Sequence, residues 1–248
     1  MDTQITPDRF DAVLFDLDGV LTATAKIHSI CWKTMFDEFL SRRATQKNES
    51  FQPFDIESDY KLYVDGKARY DGVRSFLASR RISLPEGTAQ DLTTANTVRG
   101  LGNRKDELVK AAIERGEVES FPGSIALVQR LRQQGIRTAV VSSSKNCEQV
   151  LKAAGIHDLF EARVDGLVAT ELDLPGKPAP DMFLKAAQML DVKPRRAVVV
   201  EDAIAGVQAG RAGGFALVVG VDREGDGNTL RTHGADLVVT DLAELLDD

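Results

Sequence analysis

The chain has 248 residues, 43% hydrophobic and 28% charged, an ordinary globular mix that fits one or two domains and excludes a disordered chain. Its net charge of -7 argues against a nucleic-acid-binding surface, and an acidic protein that takes an anionic substrate must supply cations locally. Cys31 and Cys147 are its only cysteines, too few for a disulfide framework or a zinc pattern. They read as buried small hydrophobes.

In chain order, residues 1–10 (MDTQITPDRF) lack the apolar run of a signal peptide, and no stretch approaches the ~20 apolar residues of a membrane span. The cytoplasm is therefore the expected compartment. The first apolar run, Ala12 to Phe15, predicts a strand buried on both faces. It leads into Asp16-Leu17-Asp18-Gly19-Val20. From about Thr24 to about Glu119 the pattern turns helical, with Ile27, Cys31, Met35 and Phe36 at helical spacing and Val73, Phe76 and Leu77 likewise. A polar stretch, Ser41 to Ser50, lies between them. Phe121-Pro122-Gly123 marks the return.

Four further runs predict strands: Thr138 to Val141, Ala197 to Val200, Phe215 to Val219 and Leu237 to Val239. Helices are predicted over Ser124 to Gln134 with Gly135 as a stop, over Asn146 to Ala154 ending at Gly155, and over Asp181 to Leu190 with Asp181 as the N-cap. Alternating strands and helices predict an α/β domain with a Rossmann-like parallel sheet. The expected division is a core of residues 1–23 and 120–248 with a helical cap, residues 24–119, inserted as a lid.

Ligand sites in open parallel sheets lie beyond the carboxyl ends of the strands. Asp16 and Asp18 sit at such an end, two residues apart, so both face one site on extended backbone. Glu201-Asp202 follow Val198-Val199-Val200 in the same way. If the two strands are neighbours, up to four carboxylates converge, and each pair at ~4 Å costs about 4 kcal/mol at an effective dielectric of ~20. Such a cluster needs a cation, and all-oxygen ligands favour magnesium. Two commoner motifs are excluded. Gly19 is misplaced for an EF-hand, and Pro178 follows Lys177 where a P-loop needs Ser or Thr.

Ser142-Ser143-Ser144-Lys145-Asn146 closes the second predicted strand and opens a helix, which suits anion binding or simple capping by Ser144 or Asn146. Lys177 lies at a third strand–helix junction. A phosphate ester repels an attacking carboxylate, so magnesium, Lys177 and Ser142 are expected to offset its charge. Asp16 is the candidate nucleophile, forming an aspartyl-phosphate, and Asp18 the candidate acid and base.

As a set, Asp16-Leu17-Asp18-Gly19-Val20, Ser142, Lys177 and Glu201-Asp202 resemble the four motifs of the haloacid dehalogenase superfamily. The resemblance spans the whole core. It implies Asp16 as nucleophile, Asp18 as acid/base that also gives magnesium its backbone carbonyl, Asp202 as metal ligand and Glu201 in support of the metal shell. It also implies a cis Lys177-Pro178 bond.

Within the superfamily the chain looks like the β-phosphoglucomutase group. Thr24 and His28 resemble a hinge pair of that group, followed by Trp32. Gly66-Lys67-Ala68-Arg69 resembles a substrate loop with Arg69 on the distal phosphate, and Arg104-Lys105 resembles the place of a sugar-contacting lysine, Lys105. Ser144-Lys145-Asn146 resembles the rest of the distal-phosphate site. The resemblance implies conversion of β-glucose 1-phosphate to glucose 6-phosphate by a monomeric enzyme, with glucose 1,6-bisphosphate as activator. Ala23 and Ala203 depart from the pattern, and the cap is longer around residues 44–52. A sugar-phosphate phosphatase on the same scaffold is the alternative. A binding protein with a silent site is a third reading, which the intact Asp16, Asp18, Lys177 and Asp202 disfavour.

Overall fold

The computed structural model describes residues 4–246 other than 224 and 226, so residues 1–3, 247 and 248 of the expected core segments lie outside the described residues. The chain forms two compact units, Met1–Thr24 with Val118–Asp248, and Ala25–Glu117.

Strand β1 (Ala12–Phe15) is followed by helices α1 (Thr24–Lys47), α2 (Arg69–Ser79) and α3 (Val98–Glu114), with a wide π-type helical turn at Ile56–Val64. Then come α4 (Pro122–Gln133), β2 (Arg137–Val141), α5 (Cys147–Ala153), β3 (Ala162–Val164), α6 (Gly166–Glu171) and α7 (Asp181–Met189). The chain finishes through β4 (Ala197–Glu201), α8 (Ile204–Ala212), β5 (Leu217–Val221), α9 (Gly227–Thr232) and β6 (Leu237–Val239).

Among the described residues of the first unit, six strands form one parallel sheet in the order β3-β2-β1-β4-β5-β6. The chain winds outward from β1 to β3, returns to lay β4 on the other side of β1, and winds outward again. The order reverses between β1 and β4, which is where an open α/β sheet has its crevice. Helices cover the sheet: α7 packs on β1, β2 and β3, α8 on β4 and β5, and α4 on β2. This explains the unbroken apolar runs. Every residue of β1 and β4 is buried, including Glu201.

Five strands fall on the predicted runs. β5 begins two residues later than its run, because Phe215 turns beneath the sheet to meet Phe183, ring centroids 6.1 Å apart. β3 was not predicted. It has three residues, and its central Arg163 is half-buried and ion-paired with Glu148 and Asp165, so it carries no apolar run. The capping expectations for Asp181 and Asn146 need correction. Pro180 occupies the cap of α7 and Asp181 is its first residue, where its charge still suits the helix dipole; Asn146 caps α5 without a side-chain bond. Gly135 and Gly155 stop their helices with φ of 79° and 67°.

The second unit has its own core, in which Trp32, Met35 and Phe36 of α1 meet Phe54 of the connection after α1, Phe76 and Leu77 of α2, and Leu101 of α3. Phe36 lies 4.1 Å from Phe76 between ring centroids and stacks on Trp32 at 5.4 Å. The polar stretch from Ser41 is helical as far as Lys47. Phe36, Leu40 and Ala44, each four residues apart, continue one buried stripe beneath its charged face. Both cysteines are unbridged and buried. No helix among the described residues is long and apolar enough to cross a membrane.

Candidate active site

The tips of β1 and β4 are locked in register. Phe15 faces Val200, and the Asp16 N–H donates to the Val200 carbonyl at 2.9 Å, so Asp16 leaves the sheet beside Glu201. Lys177 joins them. Its Nζ donates to Asp16 Oδ1 at 2.5 Å, to Glu201 Oε1 at 2.6 Å and to the Val141 carbonyl at 3.1 Å. One ammonium thus uses three donors on the ends of β1, β2 and β4. It also lies 4.9 Å from the centre of the Phe183 ring. The Lys177-Pro178 bond is cis, as expected.

The Lys177 side chain is fully buried. Burial alone would favour its neutral form, but the Asp16 and Glu201 carboxylates outweigh it and raise its pKa above the ordinary lysine value. For Glu201, burial pushes the carboxyl up to about 7 against the pull of Lys177. Its other oxygen, Oε2, accepts from the Ala203 N–H at 2.9 Å. Gly206 of α8 leaves room for this carboxylate, since a Cβ there would meet Oε1 at 1.7 Å.

This changes the expected four-carboxylate cluster. Asp16 and Glu201 share a single buried lysine, and both Glu201 oxygens are engaged. Among the described residues no group of three or more His, Cys, Asp or Glu side chains is arranged to hold an ion. Glu201 meets Lys177 through Oε1 and the Ala203 N–H through Oε2. An ion at these strand tips would draw on the hard carboxylate oxygens of Asp16, Asp18 and Asp202 and on the backbone carbonyls beside them, a donor set that suits magnesium better than a softer metal. Asp202 is held close to the first motif, its carboxylate packed on the Cα of Gly19.

Gly19 makes that approach possible, with φ of 86° and its N–H donating to the Thr22 carbonyl at 2.7 Å. The turn also places Asp18. Thr24 Oγ1 donates to Asp18 Oδ1, and Thr22 Oγ1 lies 2.7 Å from Thr24 Oγ1 and 3.2 Å from the Leu17 carbonyl. Both threonines are buried, Asp18 only partly. Thr22 was missed in the sequence; a second β-hydroxyl two residues before Thr24 was the available signal.

Ser142 is buried at the end of β2, and its Oγ accepts from the Ser144 N–H at 3.1 Å. Ser144 Oγ accepts from the Asn146 N–H at 3.1 Å. Gly166 packs beneath this loop, its N–H donating to the Ser144 carbonyl and its Cα against Lys145. Ser142, Ser144, Lys145 and Asn146 thus form one folded turn beside β1.

In the second unit, Lys105 Nζ lies 2.8 Å from His28 Nδ1 and 5.0 Å from the Trp32 ring centre. Lys105 has only donors, so Nδ1 accepts and the imidazole is neutral. Burial first, then the Lys105 and Arg69 cations, hold the His28 pKa well below 6.5. The residue keeps part of its surface exposed, but Nε2 is shut off from solvent, so desolvation governs the ring. Gly66 takes a φ of 69° in the loop before α2. Arg69 pairs with Asp106 at 3.0 Å, and its guanidinium lies 5.3 Å from the Tyr70 ring centre.

A sequence profile of the haloacid dehalogenase-like hydrolases matches residues 10–214. The chain is 51% identical over 243 residues to a β-phosphoglucomutase of Mycobacterium bovis, covering 97% of this chain and 93% of the relative. It is 34% identical over 235 residues to a β-phosphoglucomutase of Bacillus subtilis, covering 94% of this chain and 91% of the relative. A crystal structure of β-phosphoglucomutase from Clostridium difficile superposes with a TM-score of 0.72 at 26% identity, covering 95% of this chain and 93% of that one.

Proposed function

The chain belongs to the haloacid dehalogenase-like hydrolase family, and from that premise we propose that it is a phosphotransferase acting as a β-phosphoglucomutase. It converts β-glucose 1-phosphate to glucose 6-phosphate through the 1,6-bisphosphate. The observation that carries this reading is the Lys177 node, which fixes one oxygen of the Asp16 carboxylate at the sheet's switch point.

With Oδ1 held by Lys177, Asp16 attacks phosphorus through its other oxygen. The new P–O bond forms as the bond from phosphorus to the sugar oxygen breaks, leaving an aspartyl-phosphate. Asp18 protonates the departing oxygen, then takes the proton of the hydroxyl that accepts the phosphoryl group in the return step. The hydrogen bond from Thr24 holds Asp18 in one rotamer for both duties. The Lys177 ammonium and the Ser142 hydroxyl offset negative charge on the phosphoryl oxygens. Asp16, Asp202 and the Asp18 carbonyl would hold magnesium, which when bound supplies the remaining positive charge. Gly66, Arg69, Lys105, Ser144, Lys145 and Asn146 are proposed to bind the sugar and its second phosphate, and Thr24 and His28 to serve as the hinge pair.

A phosphatase, with water as acceptor, is the second reading. Arg69, the cation expected on the second phosphate, is paired with Asp106. An enzyme that needs no second phosphate site tolerates that arrangement better.

The deciding experiment supplies β-glucose 1-phosphate with magnesium and a trace of glucose 1,6-bisphosphate, and follows glucose 6-phosphate against inorganic phosphate. Glucose 6-phosphate in excess supports the mutase. Stoichiometric phosphate supports the phosphatase, and neither product refutes both.

A further inference from the structure

Arg223 follows β5 and has no part in the chemistry described so far. Its Nη1 donates to Asp241 Oδ2 at 2.6 Å and to the Thr240 carbonyl at 3.0 Å. Its Nη2 reaches Ser124 Oγ at 3.4 Å, and its Nε the Gly19 carbonyl at 3.4 Å. The guanidinium lies 3.8 Å from the centre of the Phe121 ring, a close cation–π stack.

These partners converge on one stretch of backbone. Ser124 is fully buried, and its Oγ donates to the Val20 carbonyl at 2.6 Å. The Phe121 N–H donates to the Leu21 carbonyl at 3.0 Å, and Thr22 bridges to Ser120. Val20, Leu21 and Thr22 are thus each tied to the segment 120–124, and Arg223 bears on both sides of the tie through the Gly19 carbonyl and Ser124.

We propose that Arg223 is a positioning residue for the Asp16–Val20 turn. Gly19 is the loosest point of that turn, since a glycine at positive φ has other backbone states within easy reach. Its N–H is fixed by Thr22, and its carbonyl is the group Arg223 reaches. A change in the Gly19 backbone angles would move Asp18 relative to Val20 and Leu21 and shift the Gly19 Cα on which the Asp202 carboxylate packs. The task suits arginine rather than lysine. A planar fork gives directed donors to Gly19, Ser124, Thr240 and Asp241 while one face stacks on an aromatic ring, whereas an ammonium retains only the charge. Arg223 touches neither Asp16 nor Asp18, so it acts through the backbone.

The inference rests on the reading of Asp16 and Asp18 as the reacting groups. The test compares Arg223→Gln, Arg223→Lys, Phe121→Ala and Phe121→Tyr with the parent enzyme, measuring kcat, KM, melting temperature and the backbone amide resonances of residues 16–22. Arg223→Gln and Arg223→Lys are expected to lower kcat by roughly 10- to 100-fold, the scale of a misplacement near 1 Å, with KM changed less than about threefold. The Gly19 amide should shift in both. Phe121→Ala should reproduce part of the loss, and Phe121→Tyr, which keeps the ring face, should restore it. Unchanged kcat, full recovery by lysine, or a loss explained by a smaller folded fraction would overturn the proposal. If an Arg223 variant does not fold, the Phe121 pair decides by the same criteria. If the parent enzyme transfers no phosphoryl group, the functional reading fails on its own, and an unmoved Gly19 amide in Arg223→Gln would still refute the positioning contact.

Discussion

The Asp202 carboxylate rests on the Cα of Gly19 so closely that a methyl group there would stand 1.7 Å from Oδ2. The close approach couples the tip of β4 to the turn after β1, and a single hydrogen atom makes room for it.

Gly19→Ala should therefore be far more damaging than its size suggests. Alanine at φ of 86° carries strain of about 1–2 kcal/mol, and Asp202 must move as well. Activity is expected to fall by roughly 100-fold with the fold retained, measured as kcat beside a circular dichroism melt. Activity within twofold of the parent would show that Asp202 and the turn are not coupled.

Lys177→Ala leaves Asp16 and Glu201 facing each other in a buried site with no cation. Removing one partner of a buried pair costs about 3–5 kcal/mol, so a loss of that order is expected in urea unfolding at pH 8. The loss should shrink toward pH 5. Glu201, already raised to about 7 by burial, rises further without the ammonium and takes up a proton there. A pH-independent loss would mean that charge repulsion is not its source.

Asp16→Asn keeps the shape of the side chain and removes the nucleophile. Turnover should fall by at least about 1000-fold, and no phosphorylated protein should be seen by mass spectrometry after exposure to glucose 1,6-bisphosphate. Binding of inorganic phosphate should change only a few-fold. Near-normal turnover would assign the nucleophile elsewhere.

His28 gives a pH signature. Its pKa is held below 6.5 in the folded chain, so under acid the unfolded chain binds a proton the folded one resists. More protons on the unfolded state make stability fall as pH falls, starting near the ordinary value of 6.5 and continuing down to the folded pKa. His28→Gln removes the titrating group, so the difference in stability between parent and variant should narrow from pH 7.5 to pH 5. A constant difference would show that His28 titrates normally.

Arg69→Ala and Lys145→Ala separate the two functional readings. Both should abolish isomerisation of β-glucose 1-phosphate while sparing hydrolysis of a small generic phosphate ester. Isomerisation that survives both changes would remove these residues from the second-phosphate site.

Much of this was legible in the chain itself. Apolar runs bounded by turns locate β1, β2, β4 and β6, because a strand covered on both faces has no polar side to show. Asp16, Asp18, Glu201 and Asp202 stand out because they follow such runs immediately. What one dimension does not carry is adjacency. β3 is too short and too polar at Arg163 to register, and Thr22 and Arg223 look like ordinary loop residues until their partners are beside them.

The sequence by itself determined the α/β class, the strand tips that carry acids, and Lys177 as a cation at a junction, since these follow from local periodicity and residue type. Only the tertiary structure decided how the charges are matched. The parallel register of β1 and β4 sets Asp16 beside Glu201, and the Lys177 ammonium enters between them, 161 residues along the chain from Asp16 and 24 from Glu201. Local pattern fixes which groups are present at a strand end. Coulomb energy depends on distance, and distance across a sheet is set by topology.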